Sequence, residues 1–586
     1  MFVVFEGIDG SGKTAVSNRV AKRLRAAGTP VEHVREEGDF ASSLVRRLRE
    51  FGKDARNLAL EPAAEMCFYL AREAQVLAEL TRPALARGGT VFADRYLYSV
   101  EVLSQVGRGL PAEPVRAAIE AVAGGVWPDL VVLLDVDPNI ARARRRVSKI
   151  EARGAGRAAS SGGRKGLSGV GLQRRMREGY LALAAREPDR WLVIDNGAAD
   201  AELDRTVEKI VTAIQARQKG GLKSKTAGSA PGSGTGSGSG TGVESGSGSG
   251  SGAATGAGTL TERFFAHVEA RAVREPGVAA YFIAGLGHPL ATEWRDKLKD
   301  PSPHVVAYGL RGLGDDEAWR LREELEPVAG MLVARSIDGI DVEGERADAT
   351  RVRLAEAFPE AVLATLDGND GAIAWALRER LEARDLVAVV SSLKRIGSER
   401  AWELRRRLIR QMGGETALAD PRVAEPLVGS LRGLGGAEAW ELRRRCAEAA
   451  PVAALESLTE LTDEEAWGWR TRWLERAPRP VLRSLLRLDD PRAWAMRRQV
   501  GAFVKEALDS MTGMDGREAW ALRDELVERW PSTAVKSLGP LYAGKRGRAL
   551  ADRALALRAD DISLLKHLTA LMHDAAATAR QWEDAE

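Results

Sequence analysis

Residues 220 to 258 read GGLKSKTAGSAPGSGTGSGSGTGVESGSGSGSGAATGAG. So few apolar side chains cannot bury enough surface to offset the entropy of ordering, so no single core can run through the chain. As a flexible coil these 39 residues would span about 35 Å on average, a tether rather than a rigid joint. The expected organisation is a domain over 1–217, a flexible linker over 218–258 and a second domain over 259–586. The net charge of +3 gives no bulk attraction to nucleic acid or membrane. Cys67 and Cys446 lie in different halves, which suits a reducing cytoplasm and leaves no disulfide framework. No apolar run approaches the length of a membrane span, and a strand expected from Phe2 leaves no room for a signal peptide. The histidines at 33, 267, 288, 304, 567 and 573 never group at zinc-ligand spacing.

The first part alternates short apolar runs with helical patterns. MFVVF at the start, then 31–34, 90–94, 130–136 and 191–195, read as strands, with helices expected over 41–51, 62–87, 112–124, 138–151, 172–187 and 199–217. Strands joined by crossover helices give an α/β fold with a parallel sheet covered on both faces and its ligands beyond the strand C-termini.

Between the first strand and first helix stands FEGIDGSGKT, with Gly7, Gly12, Lys13 and Thr14 at P-loop spacing. Backbone N–H groups of Gly7, Ile8, Asp9, Gly10, Ser11, Gly12, Lys13 and Thr14 would close around nucleotide phosphates at a helix N-terminus. Lys13 would reach the β/γ-phosphates and the Thr14 hydroxyl would ligate Mg²⁺. Asp94 closes the 90–94 strand, where its carboxylate can also hold Mg²⁺, and Arg95 beside it is shaped for a second, acceptor phosphate. Between Arg142 and Arg177 twelve Arg/Lys face one acid, Glu151, around a Gly/Ser tract. That composition suits a lid closing over phosphates or a basic patch for RNA or DNA; without aromatic residues to stack bases, the lid is favoured.

FEGIDGSGKT, DRYLYS with GRGL, PDLVVLLDVDP and REGYLALA before VIDN resemble, in order and spacing, the thymidylate kinases, over about residues 1 to 215. The resemblance implies an ATP-dependent nucleoside monophosphate kinase using Mg²⁺, cytoplasmic, acting on dTMP or a related acceptor, with a homodimer through the kinase domain possible. It places Asp9 near the acceptor's sugar hydroxyl and Arg95 on its phosphate. With Gly10 where some members carry a basic residue, it gives the catalytic arginines to the lid, with Arg146, Arg153 and Arg157 as candidates. The departures lie around the acceptor. REEGD stands for the family's REPGG, and YLAREAQ for FAADRAQ, which keeps an aromatic Tyr69 but puts Glu73 where a base-reading arginine is expected. Arg72, about 100° around the helix, is not expected to substitute. Leu103 stands where a tyrosine usually meets the deoxyribose, and Ser104 where an amide often reads the base. The acceptor is therefore dTMP or another monophosphate. The rival readings are an ATP-binding adaptor with a weak kinase fold and a deoxynucleoside kinase.

From 259 the sequence repeats. Segments such as ERAWELRRRL and AEAWELRRRC set tryptophans at 319, 375, 402, 440, 467, 494 and 520, with Trp294 extending the series and Thr350 read as a lapsed copy. Such a period means a solenoid of stacked helix pairs, most like HEAT repeats, with the tryptophans in shared core. Nothing catalytic is visible there, so a protein partner on the repeats is the expected role.

Overall fold

The computed structural model describes residues 1–36, 40–53, 60–157, 170–198, 203–225, 258–338, 340, 344–499 and 503–583. Two compact units divide the chain, residues 1–145 with 161–258 and residues 146–160 with 259–586.

The first unit is built on five strands, β1 (Phe2–Glu6), β2 (Val31–His33), β3 (Thr90–Asp94), β4 (Leu130–Asp135) and β5 (Trp191–Asp195), in the order β2-β3-β1-β4-β5. Every pairing is parallel, so all strand C-termini open on one edge. Strand alternation sorts the apolar side chains between two faces. Val3, Phe5 and Val132 pack under α1 (Lys13–Ala26) and a C-terminal helix, Leu203–Lys225, through Val16, Val20, Ile210 and Ile214. Phe2, Val4, Val131 and Leu133 take the opposite face, where α2 (Ser43–Lys53), α3 (Pro62–Val76), α4 (Arg82–Ala86), α5 (Leu97–Val102), α6 (Ala112–Ala123), α7 (Pro138–Gly154) and α8 (Val170–Arg186) complete the order.

All the expected strands and helices are present, with three differences. The helix expected over 62–87 is α3, a π-helical turn at Leu77–Thr81 and α4. A helix unseen in the sequence, α5, follows the DRY segment and ends in a second π-turn, Leu103–Gly107. The last helix runs on to Lys225, and Gln218 donates to Thr90 Oγ1 at 2.9 Å, so the linker begins later than 218; the Gly/Ser tract over 226–257 lies outside the described residues.

The second unit is helical. A long helix such as Ala437–Cys446 is followed by a short one such as Pro451–Glu456, whose N1 proline suits a first turn that needs no N–H. In one repeat the two merge as Asp316–Ser336, bent at Ala329 after Pro327. Six of the tryptophans are buried and Trp402 is half-buried, as shared core requires. The invariant group, however, is an arginine three residues after each tryptophan. Arg443 donates from Nε to Ser457 Oγ at 2.9 Å and from Nη2 to the Leu431 and Leu434 carbonyls at 2.7 Å each, with its guanidinium 4.9 Å from the Trp440 ring centre. The arrangement recurs at Arg322, Arg378, Arg405, Arg470, Arg497 and Arg523. By that register Trp294 and Thr350 are not copies of the tryptophan. Arg295 and Arg351 hold the arginine position, through bonds to Ile283 O and Thr365 Oγ1, which places Thr292 and Asp348 in the tryptophan's place.

The first helix of this unit, Leu260–Ala272, packs against its last, Ile562–Glu583. Leu260 joins the cluster of Leu564 and Leu568, and Arg263 donates to Ala559 O and Asp560 Oδ1 at 2.7 and 2.9 Å. The repeat series thus closes end to end, each terminal helix covering the other where an open array needs polar caps. No helix among the described residues is long and apolar enough to cross a membrane.

Candidate active site

The loop between β1 and α1 folds tightly because its glycines allow it. Gly7 and Gly10 have φ of 139° and 92°, and a Cβ on Gly7 would stand 2.6 Å from Leu134 O while one on Gly10 would strike Ala141 O. A side chain at either position would collide with backbone, so the loop must be glycine there. Lys13 is buried, and its Nζ donates to Gly7 O at 2.9 Å and Ile8 O at 2.8 Å, turned back on its own loop. Burial, with the Arg95 charge, brings its pKa down to about 8.

Asp94 ends β3 and faces this loop. The Thr14 hydroxyl donates to Asp94 Oδ2 at 2.6 Å, while Asp94 Oδ1 is buried and has no hydrogen-bond partner among the described residues. Burial alone would raise this carboxyl, but Lys13, Arg35 and the Thr14 hydrogen bond hold it below the usual range, ionised at neutral pH. An ionised carboxylate with one orphaned oxygen beside a threonine hydroxyl is a hard oxygen donor set and fits Mg²⁺. Thr14 and Asp94 are the residues that would hold the ion.

Arg95 sits at φ 79°, a left-handed backbone that a non-glycine residue rarely adopts. Its surroundings fix it there. Nη2 meets Asp9 Oδ1 at 2.5 Å, Nη1 donates to Ser99 Oγ at 3.0 Å and Tyr180 Oη at 3.1 Å, and Glu6 Oε2 lies 3.9 Å away. Glu6 accepts from the Tyr96 N–H at 2.9 Å and the Ser99 hydroxyl at 2.7 Å. Burial pushes the Glu6 carboxyl up, whereas in Asp9, whose side chain is less enclosed, the charges of Arg95, Lys13 and Arg145 outweigh desolvation and draw it down. The same left-handed backbone occurs at Arg395 and Arg487 in the helical unit, so at Arg95 it is the ring of acids and hydroxyls around the guanidinium that sets the residue apart.

The expected residues of the loop, with Asp94 and Arg95, therefore converge. Tyr69 and Glu73 lie on α3, where Glu73 is buried and Tyr69 half-buried. Arg72 is not turned away as its position on the helix suggests: it donates from Nε and Nη2 to Glu73 Oε1 at 3.0 and 2.5 Å, with its guanidinium 5.2 Å from the Tyr69 ring centre. Leu103 opens the second π-turn, half-buried, and Ser104 is buried. Arg146 and Arg153 are exposed on α7 and Arg157 is exposed beyond it; no hydrogen bond joins them to the loop among the described residues. The tract over 158–169 lies outside the described residues.

Several members of the site were not read from the sequence. Arg145, not Arg146, is the α7 arginine beside the loop, its Cγ 3.1 Å from where a Gly10 Cβ would stand and its charge felt by Asp9. Arg35, just beyond β2, brings Nη1 to 3.5 Å from Asp94 Oδ2. Gln173 accepts from the Asp9 N–H at 3.1 Å, and Asn196 donates to Ser11 O at 2.7 Å. For Arg35 and Asn196 the strand-end rule already applied to Asp94 was signal enough.

The family profile described as Thymidylate kinase matches residues 5–210. The thymidylate kinase of Nitratidesulfovibrio vulgaris (strain DP4) is 38% identical over 213 residues, covering 36% of this chain and 92% of the relative. That of Solidesulfovibrio magneticus is 41% identical over 195 residues, covering 33% and 90%. That of Deinococcus radiodurans is 39% identical over 209 residues, covering 35% and 94%. Nearly the whole length of each relative is thus matched by the unit that carries the phosphate loop, Asp94 and Arg95, and through that unit the chain belongs to the thymidylate kinase family, an ATP-dependent nucleoside monophosphate kinase.

Proposed function

We propose that the acceptor is thymidine monophosphate and that Arg95 binds its phosphate while the loop holds ATP. The observation that carries the reading is the 2.5 Å contact between Asp9, inside the phosphate loop, and Arg95, at the end of β3. One carboxylate thereby spaces a donor-phosphate cradle and a second cationic position at neighbouring distance. Arg35 and Arg95 supply charge for a dianion, and Glu6, with both oxygens engaged, fixes where the Arg95 fork points.

A phosphate monoester has a second pKa near about 6, so the attacking oxygen is already deprotonated near neutral pH and no general base is required. That oxygen bonds to the γ-phosphorus as the bond to the bridging β-oxygen breaks, and ADP leaves. Catalysis is then positioning and charge stabilisation. Lys13 must exchange the Gly7 and Ile8 carbonyls for phosphate oxygens. Mg²⁺, when bound, supplies shielding between the phosphates. Arg145, at the loop, is the arginine best placed to approach the transferred group; Arg146, Arg153 and Arg157 remain candidates for a closed lid.

For the helical unit we propose protein binding, since stacked repeats offer an extended surface; loss of a partner when 259–586 is removed is its test. For the kinase, the test is ADP production by the full chain with Mg·ATP and a panel of nucleoside monophosphates. Turnover on dTMP that Lys13→Ala abolishes is expected. ATP binding without turnover on any acceptor would overturn the reading in favour of an adaptor.

A further inference from the structure

One imidazole sits where three elements of the helical unit meet. His288 caps the helix Pro289–Leu298, its Nδ1 accepting from the Leu290 N–H at 3.2 Å. Its ring centre lies 5.3 Å from that of Phe265 in the first helix, Leu260–Ala272, and 5.2 Å from that of His573 in the last, Ile562–Glu583. Both histidines are half-buried. They stand in the joint that closes the repeat series, which Arg263 and Lys566 also tie, through the Ala559 and Ala284 carbonyls.

The geometry there suits a neutral His288. A ring nitrogen that accepts the cap cannot also carry a proton, so protonation at Nδ1 breaks the cap. It also sets a positive charge at a helix N-terminus, whose partial charge is already positive, and the first turn of Pro289–Leu298 holds no acid to offset it. His573, which titrates in the same range, would repel it, and burial together with His573 holds the His288 pKa below the usual value. The other charges on the three helices offer little relief. Glu269, Glu293 and Asp574 are exposed, where water screens them, and so is His267. Arg263 is paired with Asp560, Arg295 and Lys566 stay cationic on backbone carbonyls, and His567, pushed down to about 3 by burial, stays neutral.

We propose that His288 and His573 form a proton-operated latch on this joint, closed while both rings are neutral and released on acidification, so that the two terminal helices part while the repeats between them stay folded. Stacked repeats hold through nearest-neighbour interfaces, each here with its own arginine clasp, so the joint can open without them. His288 binds a proton less readily in the closed joint than in the open one. Opening therefore takes up protons and becomes easier as pH falls below about 6.5, the ordinary histidine value. It would also uncover Phe265 and Leu564, both buried while the series is closed, so access to an apolar face becomes a function of pH.

The test is amide hydrogen exchange on the full chain at about pH 7.5 and about pH 5.5, corrected for the intrinsic exchange rate, with the two terminal helices read against Ala437–Cys446 in the middle of the series. Protection of Leu260–Ala272 and Ile562–Glu583 should fall by about tenfold or more at the lower pH, the scale of a lost cap and a repelled neighbour, while Ala437–Cys446 keeps its own within about twofold. His288→Asn supplies a capping acceptor that cannot titrate and should cut the fall to less than about threefold. His573→Phe keeps an aromatic ring against His288 without the charge, and should give an intermediate fall. The proposal fails if acid leaves the terminal helices as protected as before, or if their protection falls as far in His288→Asn as in the unaltered protein. It fails equally if Ala437–Cys446 loses protection in step, since acid then unfolds the unit as a whole. Should His288→Asn not fold, His573→Phe decides: a fall equal to that of the unaltered protein overturns the latch, and a smaller one supports it.

Discussion

The two units bury arginine for opposite ends. Arg95 sits among carboxylates, Asp9 at 2.5 Å and Glu6 at 3.9 Å, on a backbone at φ 79°, and although burial opposes its charge these neighbours raise its pKa further. Arg443 and its counterparts in the repeats are buried more deeply than Arg95, yet Arg443 bonds to no carboxylate. Its acceptors are Ser457, through hydroxyl and carbonyl at the end of the short helix Pro451–Glu456, and the Leu431 and Leu434 carbonyls in the turn after Pro421–Gly429. Helix C-termini carry partial negative charge and unpaired carbonyls, so one guanidinium satisfies several of them at once. Without a full countercharge, burial brings Arg443 down to about 10, still protonated at neutral pH. A buried arginine facing backbone is a clasp. Arg95, half-buried and facing acids on a strained backbone, is the arginine we propose binds the acceptor phosphate.

The comparison is broken most directly at Arg95. Arg95→Met should lower kcat/KM for dTMP by about 10³-fold or more, the scale on which cationic groups act in phosphoryl transfer. A loss below about tenfold would make Arg95 structural like the others. Arg443→Met should do the reverse, leaving turnover intact and lowering helical stability by about 3 kcal/mol, because several buried carbonyls lose their donor. The urea midpoint followed by far-ultraviolet circular dichroism measures it, and Arg443→Lys should rescue little, since an ammonium cannot span serine and two carbonyls in one plane.

Lys13 sharpens the comparison through pH. Its folded pKa of about 8 lies below the ordinary 10.5, so between those values the unfolded chain holds more protons and the kinase unit gains stability as pH rises, a slope Lys13→Met removes. Phosphate requires the charged form, so Mg·ATP affinity should fall above pH 8 by up to about tenfold per pH unit. Titration calorimetry at pH 9 in two buffers of different ionisation heat should show proton uptake on binding. Pairing with backbone carbonyls thus leaves Lys13, unlike the clasp arginines, within reach of deprotonation.

Much of this was legible in the sequence where a residue type has few structural uses. Glycines at Gly7 and Gly12 before Lys13 and Thr14, or an Asp-Arg closing an apolar strand, mark one locus, and the structure brings them together there. The clasp arginines were not legible, because an arginine on an amphipathic helix is ordinarily a solvated group. Following tryptophans alone put the register on Trp294 and Thr350 when the arginines at 295 and 351 carry it. Arg145 was missed for a related reason. Among consecutive arginines on α7, only the approach of the helix to Gly10 selects the one facing the loop. Arg72 was discounted on helical phase, yet a long side chain crosses that angle when a buried carboxylate draws it.

The smallest effect tests whether the clasp is one unit or a set of independent bonds. Ser457 Oγ accepts from Arg443 Nε at 2.9 Å and donates to Ala454 O at 2.7 Å, linking the guanidinium to the short helix of its own repeat. Ser457→Ala removes both bonds but leaves the Leu431 and Leu434 carbonyls on Nη2, so about 1 kcal/mol is expected if the contacts act separately. A loss as large as that of Arg443→Met would mean that the guanidinium needs the hydroxyl to stay in the plane that reaches the preceding repeat. The first repeat argues against such dependence, because there Arg295 keeps the Ile283 and Leu286 carbonyls on Nη2 although its Nε has no hydrogen-bond partner among the described residues. In the third repeat Thr365 preserves the hydroxyl, with Arg351 Nε to Thr365 Oγ1 at 3.2 Å, while Asp348 replaces the tryptophan and pairs with Arg351 Nη1 at 2.7 Å. Both arginines stay buried, so the position outlasts the loss of either the hydroxyl or the ring.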